Sequence, residues 1–171
     1  NAESIRSDIE IGDIIIPVAC MRKGGAVTHY VKDDFPSFAH PLITKTLIDA
    51  CQLLGIEYKL GVICTINSYY VGQARPLNAD PNSFFPYEAR NLIERLQNAK
   101  IIALDMDTAG ELIIGFLHRM RMGAVLHVNA NRITETWGDN GGEEKALRIA
   151  SEAVRILSES EHMSTSNNFV L

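Results

Sequence analysis

Short apolar runs rich in Ile and Val alternate along the sequence with longer segments whose apolar residues recur every three or four positions. The short runs are typical of strands buried on both faces, and the longer segments have the period of amphipathic helices. This alternation predicts an α/β fold, with a mixed, largely parallel sheet flanked by helices. Strands are expected at residues 12–18, 58–65, 101–104 and 124–128, and helices at 41–54, 86–96, 106–122 and 146–160.

The helix at residues 41–54 has the clearest boundaries. Pro41 suits the first helical position, and Gly55 suits the position after the last turn. Leu47 and Leu54 belong to its apolar side, which we expect to pack on the sheet. With 171 residues and no repeat or linker, the chain predicts a single domain over residues 1–160, followed by a tail at 161–171 that is disordered or packed on a neighbour.

Charge and cysteine content narrow the function classes. Sixteen basic and twenty-one acidic side chains give a net charge of -5 without a basic run, which argues against a nucleic-acid surface. Cys20, Cys51 and Cys64 lack CxxC spacing and lie in apolar stretches, so we interpret them as buried thiols in a reducing compartment. No apolar run approaches the ~20 residues of a membrane-spanning helix. These features predict a cytoplasmic protein that binds neither nucleic acid nor membrane.

The segment from Tyr69 to Arg75 follows the second predicted strand, at the end where α/β sheets place ligands. The Gln73 amide can accept from a ring N–H while it donates to a neighbouring carbonyl, and Arg75 can donate to a second carbonyl. Those groups form the edge of uracil. The alternative is a loop arginine paired with a surface acid beside a solvated glutamine.

Two further polar groups follow later strands. Asp105, Met106 and Asp107 lie at a strand-to-helix junction, where a carboxylate can accept from sugar hydroxyls or cap the helix. Asn131 and Arg132 end the fourth predicted strand and suit a binding loop or a plain turn equally. The five histidines lack ligand spacing, and neither a metal motif nor a glycine-rich nucleotide loop occurs, so no metal site or hydride chemistry is expected.

Taken in order, these pieces resemble the uridine phosphorylases of the nucleoside phosphorylase-I family. The resemblance covers residues 12–157, and its Gly-Gln-x-Arg element distinguishes pyrimidine-cleaving members from their purine-cleaving relatives. The segments that carry it are Gly-Asp-Ile-Ile-Ile-Pro at 12–17, Gly-Ala-Val-Thr-His-Tyr at 25–30, Phe-Pro-Ser-Phe-Ala at 35–39, Gly-Gln-Ala-Arg at 72–75, Asp-Met-Asp at 105–107 and Asn-Arg at 131–132.

The resemblance implies reversible phosphorolysis of uridine, or a related pyrimidine nucleoside, to uracil and ribose 1-phosphate. Inorganic phosphate would be the co-substrate, no prosthetic group would be needed, and the protein would be a homo-oligomer. Gln73 and Arg75 would be the catalytic residues that hold the uracil edge, and Tyr69 would stack on the base or cover the sugar. The ribose would contact the segment from Asp105 to Asp107, chiefly Met106 and Asp107, while Arg132 would support a uracil carbonyl.

The sequence departs from the family at three places. Asp105 and Asp107 stand where the family has glutamates, and Asn129 stands where it has an aliphatic residue. The family's phosphate-binding elements would lie upstream of the segment that matches Asn1, so we expect the chain to be part of a longer polypeptide. We expect Asp107 to face a cleft beside Gln73 and Arg75, and Asp105 to cap the next helix. A non-catalytic nucleoside-binding or scaffold homologue remains the alternative function.

Overall fold

The computed structural model describes residues 1–76 and 84–163, with side chains described as far as residue 160. Within these ranges, the four predicted strands and four predicted helices occur in the predicted order, together with three further short strands. The strands are β1 (Ala2–Ser4), β2 (Ile14–Lys23), β3 (Ser37–Phe38), β4 (Tyr58–Ile66), β5 (Ile101–Asp105), β6 (Leu126–Asn131) and β7 (Thr136–Trp137). The α-helices are α1 (Pro41–Leu54), α2 (Leu92–Asn98), α3 (Thr108–Leu117) and α4 (Gly142–Met163), with single 3₁₀ turns at Ala26–His29, Val71–Gln73 and Tyr87–Ala89.

The strands form one sheet in the order β3-β2-β4-β5-β1-β6-β7. A further pairing between β2 and β6 closes β2, β4, β5, β1 and β6 into a ring. Most paired positions lie in the parallel pairs β2–β4, β4–β5 and β1–β6, and the remaining pairs are antiparallel. The predicted α/β class with a mixed sheet flanked by helices is therefore confirmed. The ring closure has no counterpart in the sequence prediction.

Strand β1 was missed by the sequence analysis although it lies between β5 and β6. It has only three residues, and Glu3 and Ser4 are polar, so neither length nor hydrophobic pattern marks it as a strand. All three residues are nevertheless buried. Pairing on both sides, rather than intrinsic preference, makes this segment extended.

The carboxyl ends of β2, β4 and β5 meet at one edge of the sheet. Lys23 of β2 pairs with Ile66 of β4, and Thr65 of β4 pairs with Asp105 of β5. The loops that follow these strands therefore start side by side. The loops after β4 and β5 carry most of the predicted site residues, whereas Arg132 follows β6.

Helix α1 has the boundaries that the sequence predicts. The His40 ring accepts from the Leu42 N–H at 3.2 Å, Pro41 occupies the first turn, and Gly55 adopts a left-handed conformation with φ 64°. The last turn is closed by an N–H from Ile56 to the Cys51 carbonyl at 2.9 Å. The buried side of α1 packs with β2 and α4 in one core cluster, whose buried members are Ile14, Ile16, Leu47, Ala50, Cys51, Ile149 and Ala153.

Replacement of Leu47 by alanine should lower the free energy of unfolding by about 3 kcal/mol, because it removes buried methyl groups and leaves a cavity. Leu47 is 5% exposed, whereas Leu53 on the same helix is 66% exposed. Urea denaturation of L47A and of the matched control L53A measures the difference. Equal midpoints for the two variants would refute the packing of this helix on the sheet.

The helix predicted at 106–122 is wrong at both ends, since α3 covers Thr108–Leu117. At its C-terminus, Met120 N–H donates to the Gly115 carbonyl at 2.8 Å and Arg119 N–H donates to the Phe116 carbonyl at 2.9 Å. Arg119 has φ 57°, so this is a Schellman closure with arginine where glycine is usual. The chain then folds back, and a Cβ on Gly115 would lie 2.0 Å from the Met122 Cγ.

Other boundaries also differ from the prediction. The helix expected at 86–96 is a 3₁₀ turn followed by α2, because Asn91 adopts φ 56° between them. Strand β2 continues five residues beyond 18, β6 covers Leu126–Asn131 instead of 124–128, and β7 lies in a segment for which no strand was predicted. Helix α4 passes residue 160 and reaches Met163. Residues 164–171 of the predicted tail lie outside the described residues, so the division into domain and tail stays a prediction.

None of the described helices combines the length and apolar composition that a membrane crossing requires.

Candidate functional site

The loop after β4 holds Gln73 and Arg75 in fixed positions. Gly72 N–H donates to the Ser68 hydroxyl at 3.1 Å, and Arg75 N–H donates to the Tyr70 carbonyl at 2.7 Å. A Cβ on Gly72 would lie 2.6 Å from the Ser68 Cβ, so the turn requires glycine there. Gln73 is 3% exposed, and its Nε2 donates to the carbonyl of Ile66 at 3.1 Å. The amide that the sequence singled out is therefore anchored to the end of β4.

Arg75 forms the centre of a compact polar group. Its Nη2 donates to the Glu3 carboxylate, and its side chain is 15% exposed. The guanidinium carbon lies 4.5 Å from the centroid of the Tyr69 ring and 5.1 Å from that of Trp137. Because the guanidinium contacts two aromatic rings and a carboxylate, its orientation is strongly restricted. The predicted alternative of an arginine paired with a surface acid is wrong, since Glu3 is buried.

Arg132 reaches the same place from the end of β6. Its Nη2 donates to the Ala74 carbonyl at 2.7 Å, and its Nη1 lies 3.9 Å from the Glu3 Oε2. Burial is the main reason why the pKa of Arg132 is lowered, and the positive charge of Arg75 adds to the effect while Glu3 opposes it. We call Glu3, Tyr69, Arg75, Arg132 and Trp137 the arginine cluster.

Asn131, next to Arg132, has a structural role. Its Nδ2 donates to the carbonyls of Arg6 and Ile9 at 2.8 and 2.7 Å, and its Oδ1 accepts from Ile133 N–H at 2.8 Å. The amide thereby joins the loop after β1 to the turn between β6 and β7. Of the two open interpretations, Asn131 fits the turn, while Arg132 extends into the arginine cluster.

Two members of the arginine cluster, Trp137 and Glu3, were not predicted from the sequence. Trp137 is the chain's single tryptophan, lies in a polar segment and is 60% exposed, and an isolated exposed aromatic residue could have indicated a binding surface. Glu3 gave no comparable signal. Its role depends on the pairing of β1 with β5 and β6, which cannot be predicted from three residues.

Asp105 caps helix α3, as predicted. One carboxylate oxygen accepts from the Thr65 hydroxyl at 2.5 Å, and the other accepts from the N–H groups of Asp107 and Thr108 at 3.2 and 2.7 Å. The Thr65 hydroxyl also accepts from Ala109 N–H at 3.0 Å. Asp105 is 6% exposed, so these contacts are shielded from water. They fix where the Asp-Met-Asp segment leaves the sheet.

Asp107 is exposed at the edge of a cavity of about 800 Å³. Arg22, Asn67 and Gly25 also line this cavity, but Gln73 and Arg75 are not among the lining residues. A second cavity of about 560 Å³ shares Asn67 and Gly25 with the first. Two open cavities therefore meet at the carboxyl edge of the sheet.

Asn67 and Gly25 form the boundary between these cavities. The Asn67 Nδ2 donates to the Met106 carbonyl at 2.6 Å, which ties the loop after β4 to the Asp-Met-Asp segment. Gly25 has φ 92°, and a Cβ there would lie 2.1 Å from the Asn67 Oδ1. The close approach of the two loops consequently depends on glycine at this position.

Comparison with known proteins identifies the family. A family model described as "Phosphorylase superfamily" matches residues 2–160. This chain belongs to the phosphorylase superfamily. The resemblance on which the sequence analysis relied is thereby confirmed at the level of the family.

Curated relatives within the phosphorylase superfamily carry the name uridine phosphorylase. The protein from Thermococcus kodakarensis is 39% identical over 156 residues, which cover 91% of this chain and 55% of that protein. The protein from Haemophilus influenzae is 26% identical over 158 residues, covering 90% of this chain and 62% of its own length. The protein from Salmonella typhimurium is 26% identical over 166 residues with the same coverage of both chains. This chain thus spans somewhat more than half the length of the curated relatives it matches.

The three thiols of this phosphorylase-superfamily chain are buried and held in the neutral form. Cys20, Cys51 and Cys64 are free and buried, as predicted. Burial raises their pKa values to about 12, 11 and 12, so the nucleophilic thiolate forms are scarce near neutral pH. Among the described residues, no three side chains of His, Cys, Asp or Glu are grouped so that they could hold a metal ion.

Proposed function

We propose that the protein containing this chain catalyses the phosphorolysis of uridine to uracil and ribose 1-phosphate. Inorganic phosphate is the co-substrate, and no prosthetic group takes part. The observation that carries the proposal is the convergence of Arg75 and Arg132, from two separate loops, on Glu3 at one place beside the Tyr69 ring. The curated relatives named uridine phosphorylase support the same reaction.

The chemistry of the reaction explains why arginines suit this site. Cleavage of the bond between sugar and base leaves positive charge on the sugar and moves electrons into the uracil ring. Donors directed at the uracil carbonyl oxygens therefore interact more strongly with the transition state than with bound uridine. Arg75 and Arg132 are the donors in this proposal, Gln73 holds the base edge beside them, and Tyr69 stacks on the base.

The Asp-Met-Asp segment is proposed to bind the ribose. Met106 and Asp107 contact the sugar, with the exposed Asp107 carboxylate accepting from a hydroxyl. Asp105 acts as a positioning residue, because its oxygens already accept from Thr65 and from the first turn of α3. In this division Asp105 is not a ribose contact, although the resemblance extended those contacts over residues 105–107.

Lengthening the Asp107 side chain should tighten uridine binding. A shorter aspartate reaches a ribose hydroxyl at a longer distance or through water, whereas a glutamate can accept directly. For D107E we expect an affinity about fivefold higher, equivalent to roughly 1 kcal/mol. Calorimetric titration with uridine measures it, with the exposed Asp34→Glu as control. Weaker binding by D107E than by wild type would mean that the site has adapted to aspartate.

The proposal also includes a homo-oligomer in the cytoplasm. Free buried thiols suit a reducing compartment, and the resemblance to uridine phosphorylases supports the assembly. Light scattering of the purified full-length protein tests the assembly, and a monomeric mass would contradict this part of the proposal.

The reaction is tested by incubating the full-length protein with uridine, with and without phosphate, and following uracil by chromatography. Release of uracil only when phosphate is present supports the proposal. Release of a purine base from inosine at a higher rate than uracil from uridine would contradict the pyrimidine preference.

A further inference from the structure

Glu3 is a buried carboxylate within the arginine cluster. It lies in the middle of β1, opposite Leu104 of β5 and Ala130 of β6, and is 8% exposed. Arg75 donates to its Oε1, and the Arg132 Nη1 is within ion-pair distance of its Oε2. The carboxylate therefore lies between the two guanidinium groups that the proposed function assigns to the uracil carbonyls.

Three polar atoms of the arginine cluster are buried without a hydrogen-bond partner in the described part of the chain. They are the Glu3 Oε2, the Arg75 Nε and the Arg132 Nη1. An unsatisfied buried polar atom is costly, and a group of them in a native protein calls for an explanation such as an absent ligand. Two of these atoms are donors and the third, which lies between the arginines, is an acceptor.

A ligand that satisfies all three atoms must offer an N–H donor between two acceptors. The base edge of uracil has that order, because its N3–H lies between two carbonyl groups. Cytosine has an unprotonated ring nitrogen at the same position and would present a lone pair to the carboxylate. An inorganic anion would also be repelled by Glu3. The order of donors and acceptors therefore favours an imide.

Building on the proposed function, we propose that Glu3 determines base specificity: its free carboxylate oxygen accepts the imide N–H of the base between Arg75 and Arg132. The base leaves with negative charge, which a carboxylate does not stabilise, so Glu3 contributes to selection of the base. Stabilisation of the leaving base comes from the arginines.

Access to the three atoms requires movement of an aromatic ring. Tyr69 and Trp137, whose rings both contact the Arg75 guanidinium, are 38% and 60% exposed. Trp137 belongs to a strand of two residues with both positions exposed. Its ring can leave Arg75 without disturbing the core, and the base can then stack where the ring lay.

Gln73 is the competing acceptor for the imide N–H. Its amide nitrogen is held by the Ile66 carbonyl, and its amide oxygen could also accept from the base. Variants of the two residues separate these possibilities. In the Glu3→Gln variant, Arg75 still donates a hydrogen bond to the amide oxygen, so the amide nitrogen takes the position of Oε2. The imide N–H of the base then faces a second donor instead of an acceptor.

The experiment compares uridine with 3-methyluridine, which lacks the imide N–H, as substrates of the full-length protein. We expect the wild type to favour uridine by about 100-fold in kcat/KM, and E3Q to reduce this ratio by about tenfold or more. Q73M is the matched comparison and should retain most of the ratio. E144Q, which changes an exposed glutamate on α4, should leave the ratio unchanged.

If folded E3Q cleaves both substrates more slowly but keeps the wild-type ratio of kcat/KM for uridine to that for 3-methyluridine, the proposal is overturned. Glu3 would then only position the arginines. Loss of the ratio in Q73M alone would also overturn it, since Gln73 would then be the acceptor. If E3Q does not fold, Glu3→Asp, which withdraws the carboxylate by one methylene, should lower the ratio in the same way. Calorimetry with uracil and 3-methyluracil gives the corresponding ratio of binding affinities without turnover. A protein that binds them unequally but does not cleave uridine would contradict the proposed function alone.

Discussion

Replacement of Arg75 by alanine should lower kcat/KM for uridine by about 10²- to 10³-fold, which corresponds to about 2.7 to 4 kcal/mol of transition-state stabilisation. The reason is that the arginine donor interacts chiefly with charge that develops on the leaving base. The guanidinium is also held by Glu3 and by two aromatic rings, so no other side chain can readily replace it. Steady-state kinetics of the full-length protein with saturating phosphate measure the effect.

Two variants make the Arg75 experiment specific. Arg148→Ala removes an exposed arginine from α4 and should leave kcat/KM unchanged. Arg75→Lys keeps the charge but loses the planar, multiply donating group, and we expect it to recover only a small part of the lost rate. Thermal unfolding checks that R75A is folded despite the loss of an ion pair with a buried carboxylate. A folded R75A with near wild-type kcat/KM would contradict the assignment of Arg75.

Replacement of Asp105 by alanine should lower the free energy of unfolding by about 4 kcal/mol. The change removes hydrogen bonds from Thr65 and from two backbone N–H groups to one buried carboxylate, and the two shorter of these bonds contribute about 1.5 to 3 kcal/mol each. It also leaves the first turn of α3 without its cap. Urea denaturation followed by circular dichroism measures the loss.

The matched control for Asp105 is D34A, which removes an exposed aspartate and should change the unfolding free energy by less than about 0.5 kcal/mol. Asp105→Asn retains an acceptor for part of the network and should be intermediate between D105A and wild type. A midpoint for D105A equal to that of D34A would show that Asp105 does not stabilise the junction between β5 and α3.

Local sequence signals were sufficient to predict a helix end where the residue at that end itself determines the backbone conformation. Pro41 and Gly55 defined both ends of α1. The fixed φ of proline suits the first turn of a helix, and glycine readily adopts the left-handed conformation that ends one. The end of α3 was missed, since its apolar period continues through Met122 while the backbone turns at Arg119. Positive φ at an arginine has no reliable sequence signal. The pairing of β2 with β6 depends on the whole ring of strands and is likewise invisible locally.

The candidate site was predictable where polar residues follow strands directly. Gln73 and Asp105 were identified because the carboxyl ends of parallel strands meet at one edge of a sheet. The capping role of Asp105 was also predicted, although its contact with Thr65 crosses 40 residues and could not be foreseen. Glu3 lies far from Arg75 in sequence and approaches it only because β1 enters the sheet between β5 and β6.

The measurement that tests the central claim most directly is the fate of phosphate during uridine cleavage. Phosphorus NMR of the full-length protein with uridine and inorganic phosphate should show ribose 1-phosphate appearing as phosphate disappears, with one uracil released for each phosphate consumed. The reverse reaction, from uracil and ribose 1-phosphate, should give uridine under the same conditions. Uracil release without consumption of phosphate would indicate hydrolysis and contradict the account, and so would the absence of any uracil release.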